Sequence, residues 1–369
     1  MKHRANDQKL TITRYPATSN RSLQAWSAAD ELVLNVLANQ ELSRRTVVVY
    51  DDRFGFLTAY LHTIEPLTVV TYKSQQKALE LNLGQNALPR VSERWLSPLV
   101  ALPETIDLGI VRVPKSLDLF KLYLAQLTAS LAPDGQAICA FMTRYFSAQM
   151  IAIAEEFFEH VEQSLAWKKA RLLTLTRKKP VGQLELLNAL PLTFQDGSVE
   201  VFKQYYGVFS AGNIDYATQF LLEHLALAPG ERRVLDLASG NGVIARAIQR
   251  QRPGVELHLV DDSRLAVESS KLNLTAENVH FHWDDGLEQF ERESFDLVVS
   301  NPPFHFGHET NIEVSQKLFR QVGDVLKAGG RFVCVANKHL NYMTHLTRTF
   351  RTVKTVAENE KYVIYTCVR

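Results

Sequence analysis

The sequence predicts an α/β protein with two doubly wound parallel sheets, one in each half of its 369 residues. Three observations support this. Short apolar runs alternate with amphipathic segments, the chain is longer than one hydrophobic core usually supports, and its two halves resemble each other. Composition is that of a globular protein, with 46% hydrophobic and 22% charged residues and a formal net charge of +1.

The internal repeat has the size of a whole domain. Four segments recur in the same order, at offsets between 187 and 195 residues. Such order and spacing indicate duplication of one fold. The matched pairs are Gly55 with Gly242, Asn82-Leu83 with Asn273-Leu274, Asp107 with Asp296, and Leu131–Cys139 with Leu326–Cys334.

Strands are predicted wherever the apolar runs fall. In the first half these are Val47–Val49, Thr68–Thr71, Leu108–Val111 and Gln136–Ala140. In the second half they are Val234–Leu237, Glu256–Val260, His280–His282, Leu297–Val299 and Arg331–Ala336. Alternation with helices implies parallel sheets covered on both faces. Residues 182–213 are interpreted as the end of the first domain, a linker and an entry hairpin, which gives domains of residues 1–185 and 186–369.

The first half has lost the polar residues that the second half keeps at its strand ends. We therefore expect an N-terminal copy that folds but does not bind a cofactor. Arg53, Arg112 and Lys115 would lie at the carboxyl ends of its strands, either as a phosphate-binding group or as ordinary surface charge. The replacements are Val49 for Asp236, Arg53 for Gly240, Val70 for Asp261, and residues 112–115 for Asn301-Pro302-Pro303-Phe304.

A glycine-rich turn follows the first strand of the second half, at residues 236–242. Its glycines allow a tight turn and close approach of a ligand. The next strand ends in acids that can accept from ribose hydroxyls, with Asp261 the first choice and Asp262 the second. Asp285 either accepts from an adenine amino group or caps a helix over residues 286–290. The predicted cofactor residues are Asp236, Ala238, Gly240, Gly242, Asp261, Asp262, Asp285 and Phe209.

Two ligands compete for this turn. The pyrophosphate pattern of NAD-binding proteins puts three glycines as G-x-G-x-x-G after the strand, whereas here the order is Ala238, Gly240, Gly242, Ile244 and the third glycine is missing. The sequence therefore favours S-adenosylmethionine. Phe209 and Ser210 are expected to cover the cofactor, and Asp215 to cap the helix that follows.

The second motif is Asn301-Pro302-Pro303-Phe304, directly after the apolar run Phe295–Ser300. Two prolines stiffen the loop and remove two backbone donors. The Asn301 side-chain oxygen and the Pro302 carbonyl are then positioned to accept the hydrogens of an amine, while Phe304 stacks on a base. Alone, the tetrapeptide is a rigid turn. After a strand and beside a cofactor turn, it predicts methylation of an exocyclic amine, with Asn301, Pro302, Pro303 and Phe304 as catalytic residues. His305 either contacts the base edge or caps the next helix.

Other features limit the function classes. No metal site is expected, because His280, His282, His305 and His308 lack ligand spacing. Cys139, Cys334 and Cys367 are expected to be reduced in a cytoplasmic protein. No segment resembles a membrane span or a secretory signal. Basic residues in 167–179, and Arg348, Arg351 and Lys354, are either a nucleic-acid surface or solvated charge.

With these residues in place, the chain resembles a known family. Residues 300–305 and Gly207-Val208-Phe209-Ser210 resemble the ribosomal RNA guanine-N2 methyltransferases, which duplicate one methyltransferase fold within the methyltransferase small-domain superfamily. Residues 10–17, 23–26, 113–115, 165–171 and 336–340 resemble the large-subunit (RlmG-type) branch. Two positions depart from the family pattern. Ala238 stands where glycine is usual, and Ala211 where arginine is usual.

The resemblance implies two tandem class I (Rossmann-like) methyltransferase domains, the N-terminal one degenerate and binding RNA. It implies transfer of a methyl group from S-adenosylmethionine to N2 of one guanine in 23S rRNA, as naked rRNA or in a large-subunit assembly intermediate. It puts Asp236, Gly240, Gly242 and Asp261 at the cofactor, and Asn301, Pro302 and Phe304 at the base. A monomer is expected, since one copy can take a partner subunit's role.

Two alternatives remain open at this point. Asn-Pro-Pro-aromatic loops also serve methyltransferases that act on adenine N6 or on a glutamine side-chain amide. A chain with this fold can also be an RNA-binding assembly factor without turnover, although the retained cofactor residues argue against that.

Overall fold

The computed structural model describes residues 9–20, 22–103, 105–180, 182, 184–302 and 312–369. The chain divides into two compact units, residues 1–186 and 187–369. In the residues described, no helix is both long and apolar enough to cross a membrane.

The N-terminal unit alternates strands with helices around one sheet. Its helices are α1 (Ala28–Leu37), α2 (Phe56–Tyr60), α3 (Lys73–Gln85), α4 (Leu117–Ser130) and α5 (Ala148–Phe157). Its strands are β1 (Val47–Tyr50), β2 (Leu67–Val69), β3 (Trp95–Leu96), β4 (Ile106–Arg112), β5 (Leu131–Met142), β6 (Phe158–Gln163) and β7 (Ala170–Lys178). The sheet order is β3-β2-β1-β4-β5-β7-β6, parallel as far as β5 and antiparallel for the final pairs.

The C-terminal unit begins with a hairpin of β8 (Leu187–Thr193) and β9 (Val199–Tyr205). Its helices are α6 (Tyr216–His224), α7 (Val243–Gln251), α8 (Arg264–Asn273), α9 (Ile312–Val325) and α10 (Met343–Leu346). Its remaining strands are β10 (Arg233–Leu237), β11 (Glu256–Asp261), β12 (Val279–Trp283), β13 (Phe295–Ser300), β14 (Leu326–Asn337), β15 (Thr352–Glu358) and β16 (Tyr362–Val368). The sheet order is β12-β11-β10-β13-β14-β16-β15.

The two sheets have equivalent strand orders, with the strand that comes first in the sequence (β1 or β10) inside the sheet and antiparallel pairs at one edge. Two Rossmann-like domains of the methyltransferase type are therefore present, and the predicted fold class is confirmed. The sequence missed the edge strands β3, β6 and β15, and also the interior strands β7 and β16, which pair with β6 and β15. Edge strands are partly exposed, so they lack the continuous apolar runs that mark buried parallel strands such as β1 and β13.

The repeat is visible in individual contacts. Gly55 and Gly242 each precede a helix with φ of +73° and +82°. At each position a Cβ atom would lie 2.6 Å from a leucine Cδ1, of Leu79 and Leu274 respectively. Glycine is therefore needed at both positions for packing as well as for backbone conformation.

A hydrogen-bonding asparagine repeats as well. The Asn82 Nδ2 donates to the Phe54 carbonyl at 2.7 Å, and the Asn273 Nδ2 donates to the Asn241 carbonyl at 2.9 Å. Each carbonyl belongs to the residue just before the helix-starting glycine. Each asparagine Oδ1 also accepts from an earlier backbone amide, of Thr13 at 2.8 Å and of Lys203 at 2.9 Å. The duplication therefore extends to a segment before each first strand, which sequence matching did not find.

The loss of the acid at Val49 is compensated nearby. In the C-terminal unit the Asp236 Oδ2 accepts from the Ala245 amide, in the first turn of α7, at 3.0 Å. In the N-terminal unit the Asp52 Oδ2 accepts from the Thr58 amide, in the first turn of α2, at 2.7 Å. A carboxylate still satisfies an orphan donor at the start of the helix, but it now comes from the loop after the strand.

Candidate active site

The predicted site residues gather at the carboxyl edge of the C-terminal sheet. Strand β10 lies between β11 and β13, and the chain reverses its winding direction at this point. Doubly wound sheets bind their ligands at such a switch point. The turn after β10 carries residues 238–242, β11 ends at Asp261, and Asn301 directly follows β13.

The turn after β10 has three residues in the left-handed region, with φ of +59° at Ala238, +56° at Gly240 and +82° at Gly242. The Gly240 amide donates to the Asp261 Oδ2 at 2.9 Å. A Cβ atom at Gly240 would meet no protein atom within 4 Å, so this glycine faces open space that a ligand can enter. Ala238 adopts a conformation that costs a non-glycine residue roughly 1 kcal/mol.

Two acids accept hydrogen bonds from the glycine turn and from the helix that follows it. The Asp236 side chain is fully buried, and its Oδ1 has no hydrogen-bond partner. Burial raises the pKa of Asp236 to about 7, against the Ala245 hydrogen bond, and nearby Asp261 adds to the rise. The Asp261 carboxylate accepts from the amides of Gly240 and Ser263, yet burial still raises its pKa to about 6. The pKa values of both acids are therefore raised towards neutral pH, and such shifts are common at functional sites.

The other three predicted cofactor residues, Asp262, Asp285 and Phe209, follow β11, β12 and β9 respectively. The Asp262 carbonyl accepts from the Trp283 Nε1 at 2.8 Å, and the Asp262 side chain is half-buried. Asp285 follows β12, but residues 286–290 form turns and bends. The interpretation of Asp285 as a helix cap was therefore wrong. The Phe209 side chain is 71% exposed.

Gln204, which the sequence analysis did not single out, links the 207–210 segment to the glycine turn. The Gln204 side chain is 1% exposed. Its Nε2 donates to the Ser210 carbonyl at 3.1 Å, and its Oε1 accepts from the Asn241 Nδ2 at 2.9 Å. Gln204 thus ties the 207–210 segment to the glycine turn. A polar residue at an inward position of β9 was the signal that would have found it.

The Asn301 amide has a fixed orientation. Its Nδ2 donates to the Asp215 Oδ2 and to the Thr218 Oγ1, both at 2.9 Å. A carboxylate oxygen only accepts, so the NH2 group must face Asp215 and the oxygen must face away. The Asn301 Oδ1 is buried and has no hydrogen-bond partner. Pro302 is buried, and Pro303, Phe304, His305 and His308 lie outside the described residues.

Histidines approach one another elsewhere in the C-terminal unit. Glu256, His258 and His280 have ligand atoms within 4.8 Å of one another, because β11 and β12 pair in register at His258 and His280. However, His258 already bonds Glu256 and His282, and the Arg233 Nε lies 3.4 Å from the His258 Nε2. A guanidinium at this distance opposes a divalent cation, so the cluster is better described as a hydrogen-bonded polar network.

Among the three cations considered for the N-terminal unit, Arg112 is already paired. Its Nε lies 2.7 Å from the Asp30 Oδ1, and its other nitrogens donate to the Ala140 carbonyl and the Ser27 Oγ. Arg53 lies over the Tyr72 ring, and Lys115 is exposed. The three residues therefore do not form one open phosphate site.

The basic segment 167–179 is also partly engaged. Lys168 forms an ion pair with Glu31 at 3.0 Å and lies over the Trp167 ring. Lys179 donates to the Glu155 carbonyl. Part of this charge is therefore used within the unit, while Lys168 and Lys169 stay exposed.

Both halves of the chain match known protein families. Family models match at residues 1–179, as the RLMG N-terminal domain, and at residues 200–366, as the methyltransferase small domain. A solved structure of T. thermophilus 16S rRNA N2 guanine methyltransferase RsmC, in complex with AdoMet and guanosine, has a TM-score of 0.78 at 22% identity. The match covers 100% of this chain and 99% of that one. At this identity the likeness concerns the fold.

The fold and the matched small domain thus define a class I methyltransferase. Two curated relatives are named ribosomal RNA large subunit methyltransferase G. The one from Pseudoalteromonas translucida is 31% identical, covering 100% of this chain and 98% of the relative. The one from Yersinia enterocolitica is 33% identical, covering 98% and 93%. The chain belongs to the ribosomal RNA large subunit methyltransferase G family, which confirms the family resemblance.

The raised pKa values of Asp236 and Asp261 predict a pH dependence of stability. Between about pH 4 and about pH 7 the folded protein holds protons that the unfolded chain releases, so the free energy of unfolding falls as pH rises through this interval. Asp236→Asn removes one of these groups and should make the fall shallower. Urea unfolding without cofactor, at several pH values in this interval, measures both slopes. Equal slopes for the two proteins would contradict the assignment.

Proposed function

We propose that this protein transfers a methyl group from S-adenosylmethionine to the exocyclic N2 of a guanine in 23S rRNA. The observation that carries the proposal is the buried, unpartnered Asn301 Oδ1, held one strand away from the glycine turn. The names of the full-length relatives support a large-subunit rRNA substrate.

The residues present fit S-adenosylmethionine. Gly240 faces open space, and the Asp261 carboxylate lies beside it at the end of β11, where an acid can accept from ribose hydroxyls. Asp236, Ala238, Gly242, Asp262, Asp285 and Phe209 complete the proposed cofactor set. When bound, the cofactor supplies a sulfonium methyl group, and the electron pair of the broken C–S bond stays on sulfur.

The chain's own residues then act on the amine. A guanine N2 lone pair is delocalised into the ring, which makes it a poor nucleophile. The Asn301 Oδ1 accepts one N–H, and the Pro302 carbonyl is proposed to accept the other. Both contacts orient the lone pair towards the methyl group and stabilise the positive charge that develops on nitrogen as the C–N bond forms. One amine proton leaves after transfer, so no strong base is required. Pro303 stiffens the loop, and Phe304 is proposed to stack on the base.

Labelling tests the substrate. The protein, incubated with methyl-labelled S-adenosylmethionine and unmodified 23S rRNA or large-subunit assembly intermediates, should place the label on N2 of one guanine. Adenine-containing DNA and release-factor-like proteins serve as parallel substrates, since related loops methylate adenine N6 and glutamine. Label on either of those, or none on guanine, would exclude the proposal.

The N-terminal domain is proposed to contribute to rRNA binding and not to bind the cofactor, in a cytoplasmic monomer. Arg53 occupies the place of Gly240, and Val70 that of Asp261. Calorimetry should therefore give one equivalent of S-adenosylmethionine per chain. Two equivalents would show that the first copy is also a working cofactor site.

The loop mechanism is tested at Asn301. Asn301→Ala should lower turnover at least about 100-fold, as expected when a positioned transition-state contact is lost. Asn278→Ala is the matched control, because the Asn278 Nδ2 also makes two hydrogen bonds, in its case to backbone carbonyls, but Asn278 lies before β12, away from the glycine turn. Turnover close to that of the control would refute the mechanism, while S-adenosylmethionine affinity should be similar in both variants.

A further inference from the structure

Two groups at the start of α6 hold the Asn301 amide. Asp215 is the residue before α6, and its Oδ2 accepts from the Thr218 amide at 3.1 Å and from the Asn301 Nδ2 at 2.9 Å. The Thr218 Oγ1 accepts from the same Nδ2 at 2.9 Å. Asp215 and Asn301 are 86 residues apart in the chain, so only the fold brings them together.

These contacts use both hydrogens of the Asn301 amide and leave its oxygen without a partner. A buried acceptor with no hydrogen bond destabilises the folded protein. Such an arrangement is unfavourable unless the oxygen gains a donor in the working complex. It also prevents rotation of the amide, because the opposite orientation would place Oδ1 against a carboxylate.

We propose that Asp215 is a positioning residue for methyl transfer, acting through Asn301 and assisted by Thr218. The inference rests on the proposed function. When a carboxylate accepts from the amide N–H, the electron density of the amide shifts away from the carboxylate and towards Oδ1, since hydrogen bonds in a chain polarise one another. The Asn301 oxygen becomes a stronger acceptor as positive charge develops on the substrate nitrogen. Asp215 thus supplies orientation and charge without touching the substrate.

Asp215 also caps α6, and a purely structural role must be separated from positioning. Asp215→Ser keeps a good helix cap, because serine and aspartate are about equally favourable there, but its shorter side chain cannot reach Asn301. Ser147→Ala does the converse. Ser147 caps α5 by accepting from the Gln149 amide at 3.2 Å, and its removal costs a cap and leaves Asn301 untouched.

We expect Asp215→Ser to lower kcat about 10- to 100-fold, as for a misplaced catalytic group, with KM for rRNA, cofactor affinity and Tm close to wild type. Ser147→Ala should lower Tm and keep kcat. In an Asn301→Ala background, Asp215→Ser should cause no further loss, because the two residues act as one unit. Thr218→Val, which removes the second acceptor and keeps the cap, should also lower kcat selectively.

The outcomes separate the two proposals. Normal kcat in Asp215→Ser and Thr218→Val, beside a large loss in Asn301→Ala, would overturn the positioning role and leave the proposed function intact. Losses that multiply with that of Asn301→Ala would overturn it as well. Normal turnover in Asn301→Ala itself would remove the proposed chemistry together with the positioning role.

Discussion

The parallel pairing of β10 with β13 is the constraint on which the site depends. Val234 to Leu237 pair with Leu297 to Ser300, so the glycine turn and Asn301 leave the sheet side by side. The buried Ser300 Oγ donates to the Leu237 carbonyl at 2.7 Å and fastens the two strand ends together. Because neighbouring strands lie about 4.8 Å apart, the turn proposed to hold the methyl donor and the asparagine proposed to hold the base start from adjacent positions.

The duplicated sheets share a framework and differ at its carboxyl edge. Both retain the glycine that starts the first helix and the asparagine that bonds to the carbonyl before it. These groups make the same packing and hydrogen-bond contacts in both copies, whereas the acids proposed for the cofactor, Asp236 and Asp261, are replaced by Val49 and Val70 in the first copy. In the N-terminal unit the carboxylate that accepts from the first turn of α2 is Asp52, which lies in the loop after β1. The Arg112 guanidinium of this unit is paired with Asp30.

The C-terminal edge holds several polar groups at an energetic cost. The Asp236 Oδ1 and the Asn301 Oδ1 are buried without partners, Ala238 has a positive φ, and burial raises the pKa values of Asp236 and Asp261. Each feature is unfavourable in isolation. Polar groups without a partner inside the protein remain available to a ligand, whereas groups already satisfied there have nothing to offer a substrate.

The sequence by itself determined the fold class, the duplication, and the positions of the glycine turn and the Asn301-Pro302-Pro303-Phe304 motif. Each of these follows from short segments of the chain, because apolar periodicity, glycine and proline determine the local backbone, and the duplication is the recurrence of such segments. Only the tertiary structure decided the bonds from Asn301 to Asp215 and Thr218, the link from Gln204 to Asn241, and the pairing of Arg112 with Asp30. It also showed that residues 286–290 form no helix. Contacts between distant residues depend on strand register and helix packing, and neither is encoded in the spacing of a single motif.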